Sequence, residues 1–202
     1  MERHTQRNIS IALALGLLFS LGAALAAERR AVAQSVCAET LRLHVLANSD
    51  TWEDQLLKLK VRDALLAAMP QTLGQAADRA AAEQALRQAL PALQRTAWRA
   101  VRQAHSSQTV AVKLERCHFD AKEYPGFALP AGEYTALRVE LGKAEGRNWF
   151  CVLYPALCVG GAVQQYPNAA QNALVFGKYE LRSALWDCIA AVGHCGTPEN
   201  AV

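Results

Sequence analysis

The chain has 202 residues, a formal net charge of +3 and 52% hydrophobic residues, enough apolar content for one globular domain with a real core. Lys and Arg nowhere cluster into the stripe that would displace counterions from phosphates, so nucleic acid is excluded as a partner. Repeats and low-complexity tracts are absent apart from an Ala-rich helical stretch.

At the N-terminus, Arg3 and Arg7 precede an uncharged, Leu- and Ala-rich run from Ile9 to Ala27, the n-region and h-region of an export signal. The run approaches the roughly 20 residues that span a bilayer, so an uncleaved anchor is the competing reading of residues 1–27. Ala24-Leu25-Ala26 and Ala31-Val32-Ala33 both offer cleavage patterns, and no lipidation is expected at Cys37. Losing residues 1–27 would take the charge from +3 to +2. Residues 28–40 read as a linker, 41–195 as a single globular domain and 196–202 as a frayed tail.

Leu41, Leu43 and Val45 alternate with Arg42 and His44, the period of a half-buried strand. Asn48-Ser49-Asp50-Thr51 is a turn offering helix caps, and a helix should start near Trp52, carry Leu57, Val61, Ala64, Leu65 and Ala68 on one stripe, and close at Pro70. A second helical region follows Gly74, with Leu86, Leu90, Leu93, Ala97 and Val101 in register. Pro91 predicts a kink there, or two helices meeting at Leu90, since an interior proline costs about 3 kcal/mol. Alternation then marks strands through Val110–Leu114, Leu137–Leu141 and Trp149–Leu153, with 142–148 as a hairpin loop between the last two. Beyond Cys158, Gly160-Gly161 and Pro167-Asn168 mark a loop and only Glu180 to Val192 reads as helical. The order gives an α+β fold: an antiparallel sheet with helices packed on one face, preceded by the signal or anchor helix.

Six cysteines, Cys37, Cys117, Cys151, Cys158, Cys188 and Cys195, permit 15 pairings that sequence cannot choose among. Cys151 and Cys158, like Cys188 and Cys195, are seven apart. A straight strand of that length spans about 23 Å, so a Cys151–Cys158 disulfide needs the chain to turn at Tyr154-Pro155. The alternative is that Cys151 is a small buried hydrophobe. No metal spacing and no cofactor motif is present. An enzyme would have to use Cys151 as nucleophile with His44 or His118 as base and Asn148 or Asp50 to orient it. Cys151 sits mid-strand between aromatic and β-branched residues, without the helix N-terminus or cation that activates a thiol. His44 reads as a satisfied sheet histidine, Trp149 as core with an interface anchor as its alternative, and Arg138 with Glu133 as a structural pair.

Three blocks carry a family resemblance: Leu41-Arg-Leu-His-Val-Leu-Ala-Asn-Ser-Asp50, Asp54-Gln-Leu-Leu-Lys-Leu-Lys-Val-Arg-Asp63, and the stretch from Pro130 to Cys158 that includes Pro130-Ala-Gly-Glu-Tyr134 and Asn148-Trp-Phe-Cys-Val-Leu-Tyr-Pro155. Together they resemble stage II sporulation protein R of endospore-forming bacteria. The resemblance implies a non-enzymatic signal made in the forespore, exported to the intermembrane space and needed to activate a membrane-embedded aspartic protease of the mother cell, which then matures a sigma factor. It implies no small-molecule substrate, and contact with the membrane through the N-terminal segment if that segment is kept. Asn48, Ser49, Asp50 and Trp149 are the candidate partner contacts. The readings from other classes are a secreted thiol-dependent hydrolase or redox protein using Cys151, and a cell-envelope structural module. Phe150 and the Cys-rich C-terminal part depart from the family pattern.

Overall fold

The computed structural model describes residues 2–124, 126–155 and 166–177. In chain order they form α1 (Glu2–Glu39), β1 (Leu41–Leu46), α2 (Trp52–Leu73), α3 (Arg79–Gln103), β2 (Val110–Phe119), β3 (Lys122–Tyr124), β4 (Phe127–Leu129), β5 (Gly132–Leu141), β6 (Asn148–Tyr154) and α4 (Ala169–Phe176). The α+β class holds. The strands form a four-stranded sheet of order β2-β5-β1-β6 and a separate β3–β4 ribbon.

The main sheet is mixed rather than wholly antiparallel, because β1 enters between β5 and β6 and runs parallel to β5. The segment 142–148 is therefore not a hairpin loop. It passes over the end of β1, and β5 and β6 are never neighbours. Local alternation reports each strand's two faces but carries no record of which strand pairs with it, and β1 lies about 90 residues away in sequence.

One face of the sheet carries Leu41, Leu43, Val45, Leu137, Val139, Leu141, Cys151 and Leu153, packed with Leu57, Val61, Leu65 and Met69 of α2 and Leu86, Leu93, Ala97 and Val101 of α3. Full burial of each such Leu or Val side chain stabilises the fold by about 1.5–3 kcal/mol, which is the reason both helices keep their apolar stripe on the sheet. Thr51 caps α2 and Asp78 caps α3 through side chains that accept from Asp54 and Ala81. Neither proline breaks its helix. Pro70 lies inside α2, whose end is closed by the Gly74 N–H donating to the Pro70 carbonyl, and α3 runs unbroken through Pro91. Both prolines are exposed, so water can serve the carbonyls they leave without a partner.

The other face is covered as well. Arg42 and His44 are buried, so β1 is sealed on both sides instead of half-buried. The cover there is Cys37, Phe119, Tyr134 and Ala136, beside a second cluster of Val36, Leu129, Val152, Tyr166 and Val175. Two elements of that cover, the β3–β4 ribbon and α4, are not among the sequence expectations. The α4 helix opens on a capping box between Asn168 and Gln171.

Residues 28–39, within the stretch read as a linker, complete α1, whose last turns place Val36 at 0% exposure and Cys37 at 6%. Thr40 Oγ1 donates to the Val36 carbonyl at 2.6 Å and shares a 2.7 Å hydrogen bond with the Tyr166 hydroxyl. The apolar part of α1 is exposed along its length, and the helix is long and apolar enough to cross a membrane. The helix read at 180–192, the Gly160-Gly161 loop and the 196–202 tail lie outside the described residues.

Candidate functional site

The turn after β1 gathers residues from all three motif blocks. Its centre is the Asp54 carboxylate in the first turn of α2, 7% exposed. Asn48 Nδ2 donates to Oδ2 at 2.7 Å and Ser49 Oγ at 2.5 Å, while Gln108 Nε2 donates to Oδ1. The Ser49 hydroxyl holds this carboxyl below the ordinary carboxylate value, with Asn48, Gln108 and Thr51 adding to the effect against burial.

A second tier ties the turn to the 142–147 loop. Asn48 Oδ1 accepts from the Lys143 N–H at 2.9 Å, and Asp50 Oδ1 accepts from the Arg147 N–H at 2.6 Å. The Ala47 carbonyl accepts from the Gly146 N–H at 2.9 Å. From α2, Gln55 Nε2 donates to the Ser49 carbonyl at 2.9 Å, and Lys58 Nζ donates to the Arg147 carbonyl at 2.9 Å and to Gln55 Oε1 at 2.6 Å. Lys58 is 5% exposed, and burial lowers its pKa. The two glycines of the loop are explained here. A Cβ on Gly146 would stand 2.2 Å from the Ser49 carbonyl oxygen, and Gly142 has φ +55° with Asn48 Oδ1 pressed against the same position.

Asn48, Ser49 and Asp50 thus spend their side-chain polar groups on joining β1, α2 and the loop. Asp54, Gln55 and Lys58 belong to the same lock. They stand in the second motif block, and their spacing on one side of the first turns of α2 was the signal available in the sequence.

Trp149 is half-buried on the helix-facing side of β6, with the Arg62 guanidinium 4.9 Å from its ring. The large apolar surface near the turn belongs to other residues. Trp52 is 77% exposed and Leu56, one helical turn on, is 40% exposed. Both line a groove of about 480 Å3 with Lys60, His105 and Gln108. A tryptophan at a helix start gave no periodic signal, and only the packed structure shows it left outside the core.

Cys151 pairs in register with Leu43, whereas His44 pairs with Phe150. Cys151 therefore faces the helices and His44 the opposite side of the sheet, so the thiol and its candidate base are not brought together. His118 stands near Glu133, 3.2 Å away and exposed. Glu133 is consequently not the partner of Arg138, which instead pairs with Glu140 at 2.9 Å and Glu115 at 3.4 Å. The chain does bend at Pro155, after a cis Tyr154-Pro155 peptide. Cys158, Cys188 and Cys195, the other candidate disulfide residues, lie outside the described residues. Cys37 is buried and Cys117 partly so, both as free thiols, and burial raises the pKa of each.

No solved structure matches this chain. Stage II sporulation protein R of Bacillus subtilis (strain 168) is 34% identical over 120 residues, 59% of this chain and 54% of that relative, so the match spans about half the relative's length. The family model for stage II sporulation protein R matches residues 37–164, from the buried end of α1 through the Asn48–Asp54 lock and past β6. The chain belongs to the stage II sporulation protein R family.

Proposed function

We propose that this protein is an exported sporulation signal that activates a membrane-embedded aspartic protease by direct contact, so that the protease matures a sigma factor. Family membership carries the reading, because the three motif blocks that identify the family are the blocks that build the lock around Asp54. The apolar helix at the N-terminus, either a signal or an anchor, supports delivery across the forespore membrane. Activation by contact is a population shift. The signal must bind the active arrangement of the protease more tightly than the inactive one.

The contact surface we assign to this role is the Trp52–Leu56 side of α2, held in place by the turn at Asn48, Ser49 and Asp50. Interface energy concentrates in a few large aromatic anchors, and Trp52 is the most exposed one near the lock. Trp149 is left to a packing role, against the core and beside the Arg62 guanidinium.

The test is co-production of the chain, exported, with the protease and its sigma-factor precursor in a non-sporulating host. Precursor cleavage should depend on this chain. Trp52→Ala should lower cleavage by about 10-fold or more while leaving the melting temperature unchanged, since an exposed side chain contributes little to folding. Equal cleavage with and without the chain would sink the signalling reading.

A further inference from the structure

The face of the sheet turned away from α2 and α3 holds a buried cation. Arg42 is 1% exposed, and its guanidinium carbon lies 4.0 Å from the Phe119 ring centre, 4.8 Å from Tyr134 and 5.6 Å from Phe150. The rings cover the guanidinium and leave its N–H groups to find acceptors elsewhere. Nη2 donates to the Tyr124 hydroxyl at 3.1 Å. Among the described residues, Nε and Nη1 have no hydrogen-bond partner, and the ion pairs leave Arg42 out. An arginine stays charged at any physiological pH, so its burial without an anion is unfavourable, and aromatic contact offsets only part of that.

Arg42 borders a cavity of about 360 Å3. His44 borders it too, two residues along β1 on the same face, 9% exposed and with neither ring nitrogen partnered among the described residues. Phe150, stacked on His44 with ring centres 4.8 Å apart, forms an apolar wall. The exposed Lys122 adds positive charge at the surface, against Asp120. One permanent buried charge, a second polar ring and aromatic walls suit a singly charged, planar group. A phosphate dianion would need further donors, and Asp120 would oppose it.

We propose that this cavity is a carboxylate-binding site, with Arg42 as the charge partner and the His44 ring N–H as a second donor. The carboxylate can come from a small free acid or from an acidic side chain of a bound polypeptide.

The experiment follows the Arg42 Nε–H resonance in the full-length protein in dodecyl maltoside micelles, assigned by through-bond correlation from the Arg42 backbone and by its contacts to the Phe119 and Tyr134 ring protons. Succinate, a capped peptide with one Glu, inorganic phosphate and chloride are titrated separately. The expected result is a saturable shift with succinate or the peptide, with Kd of about 1 mM or tighter, and none with chloride. Whichever of the two binds more tightly identifies the source. Arg42→Lys should weaken that binding by about 10-fold or more, as read from ligand-dependent melting, and the wild-type resonance alone decides the matter if that variant does not fold. Three results overturn the site: no shift with either carboxylate, tighter binding of phosphate, or Asp120→Asn alone moving the resonance as far as saturating carboxylate does, which would make Asp120 the internal partner. A null titration with precursor cleavage intact removes the site and leaves the signalling role. Saturable binding without cleavage does the reverse.

Discussion

Asp54 accepts from Asn48, Ser49 and Gln108, three side chains that reach it from the β1 end and from the approach to β2. Removing that acceptor strands several donors at once. Asp54→Ala should cost about 2–4 kcal/mol, visible as a lower denaturant midpoint, whereas replacing exposed Asp63 should change it by less than about 0.5 kcal/mol. His44 makes a second residue-level prediction. Burial first, then Arg138 and Arg42, lower its pKa from 6.5 to about 4, with Glu140 opposing. Between those two values the unfolded chain binds a proton that the folded chain refuses, so stability falls as pH drops from about 6.5 to about 4, by on the order of 3 kcal/mol. His44→Phe should flatten that limb in pH-dependent urea unfolding. A wild-type limb already flat there would show that the ring is not held neutral. The Asp54 contribution acts in the same direction but at lower pH, being lost only as pH falls through its depressed folded value. The motif spelled out Asn48, Ser49, Asp50 and Asp54 in the sequence, yet their bonding was hidden, because Asn48 meets the Lys143 N–H 95 residues on.

At the scale of elements, the start of α2, its buried stripe and the strands β1, β2, β5 and β6 were legible from periodicity and capping residues. Pro70 misled as a helix end, and Pro91 as a junction of two helices, because helix-breaking rules assume a carbonyl cut off from water, and both residues lie on solvent faces. The loop 142–147 misled because glycines next to two alternating strands look like a hairpin turn whether or not a third strand lies between them. Gly146 provides the check. Gly146→Ala would drive a methyl group into the Ser49 carbonyl, so it should loosen the loop from the turn and destabilise the fold by about 2 kcal/mol. Hydrogen exchange would show the loss locally, as faster exchange of the Lys143 and Arg147 amides than of those in α3.

For the whole molecule, the last turns of α1 are part of the domain, and the apolar turns before them are not. A chain starting at Gln34 keeps Val36, Cys37 and the Thr40 hydrogen bonds and should match the full chain's stability to within about 1 kcal/mol. A chain starting at Leu41 loses that packing and should be less stable by about 3 kcal/mol or more, in chemical unfolding of the two shortened proteins. Equal stability of the two would mean that α1 does not dock. Cleavage at either A-x-A pattern leaves Val36 and Cys37 in place, so loss of the leader and an intact fold are compatible.

The sequence by itself determined the family, the apolar N-terminal segment, the α+β class and most of the elements, because motifs, hydrophobic runs and periodicity are properties of neighbouring residues. Only the tertiary structure decided that β1 lies between β5 and β6, that Arg42 and His44 are enclosed by Phe119, Tyr134 and Phe150, and that Trp52 is left in solvent. Those outcomes depend on which distant segments cover each face. A two-residue alternation marks a strand's faces and is silent about what lies over them.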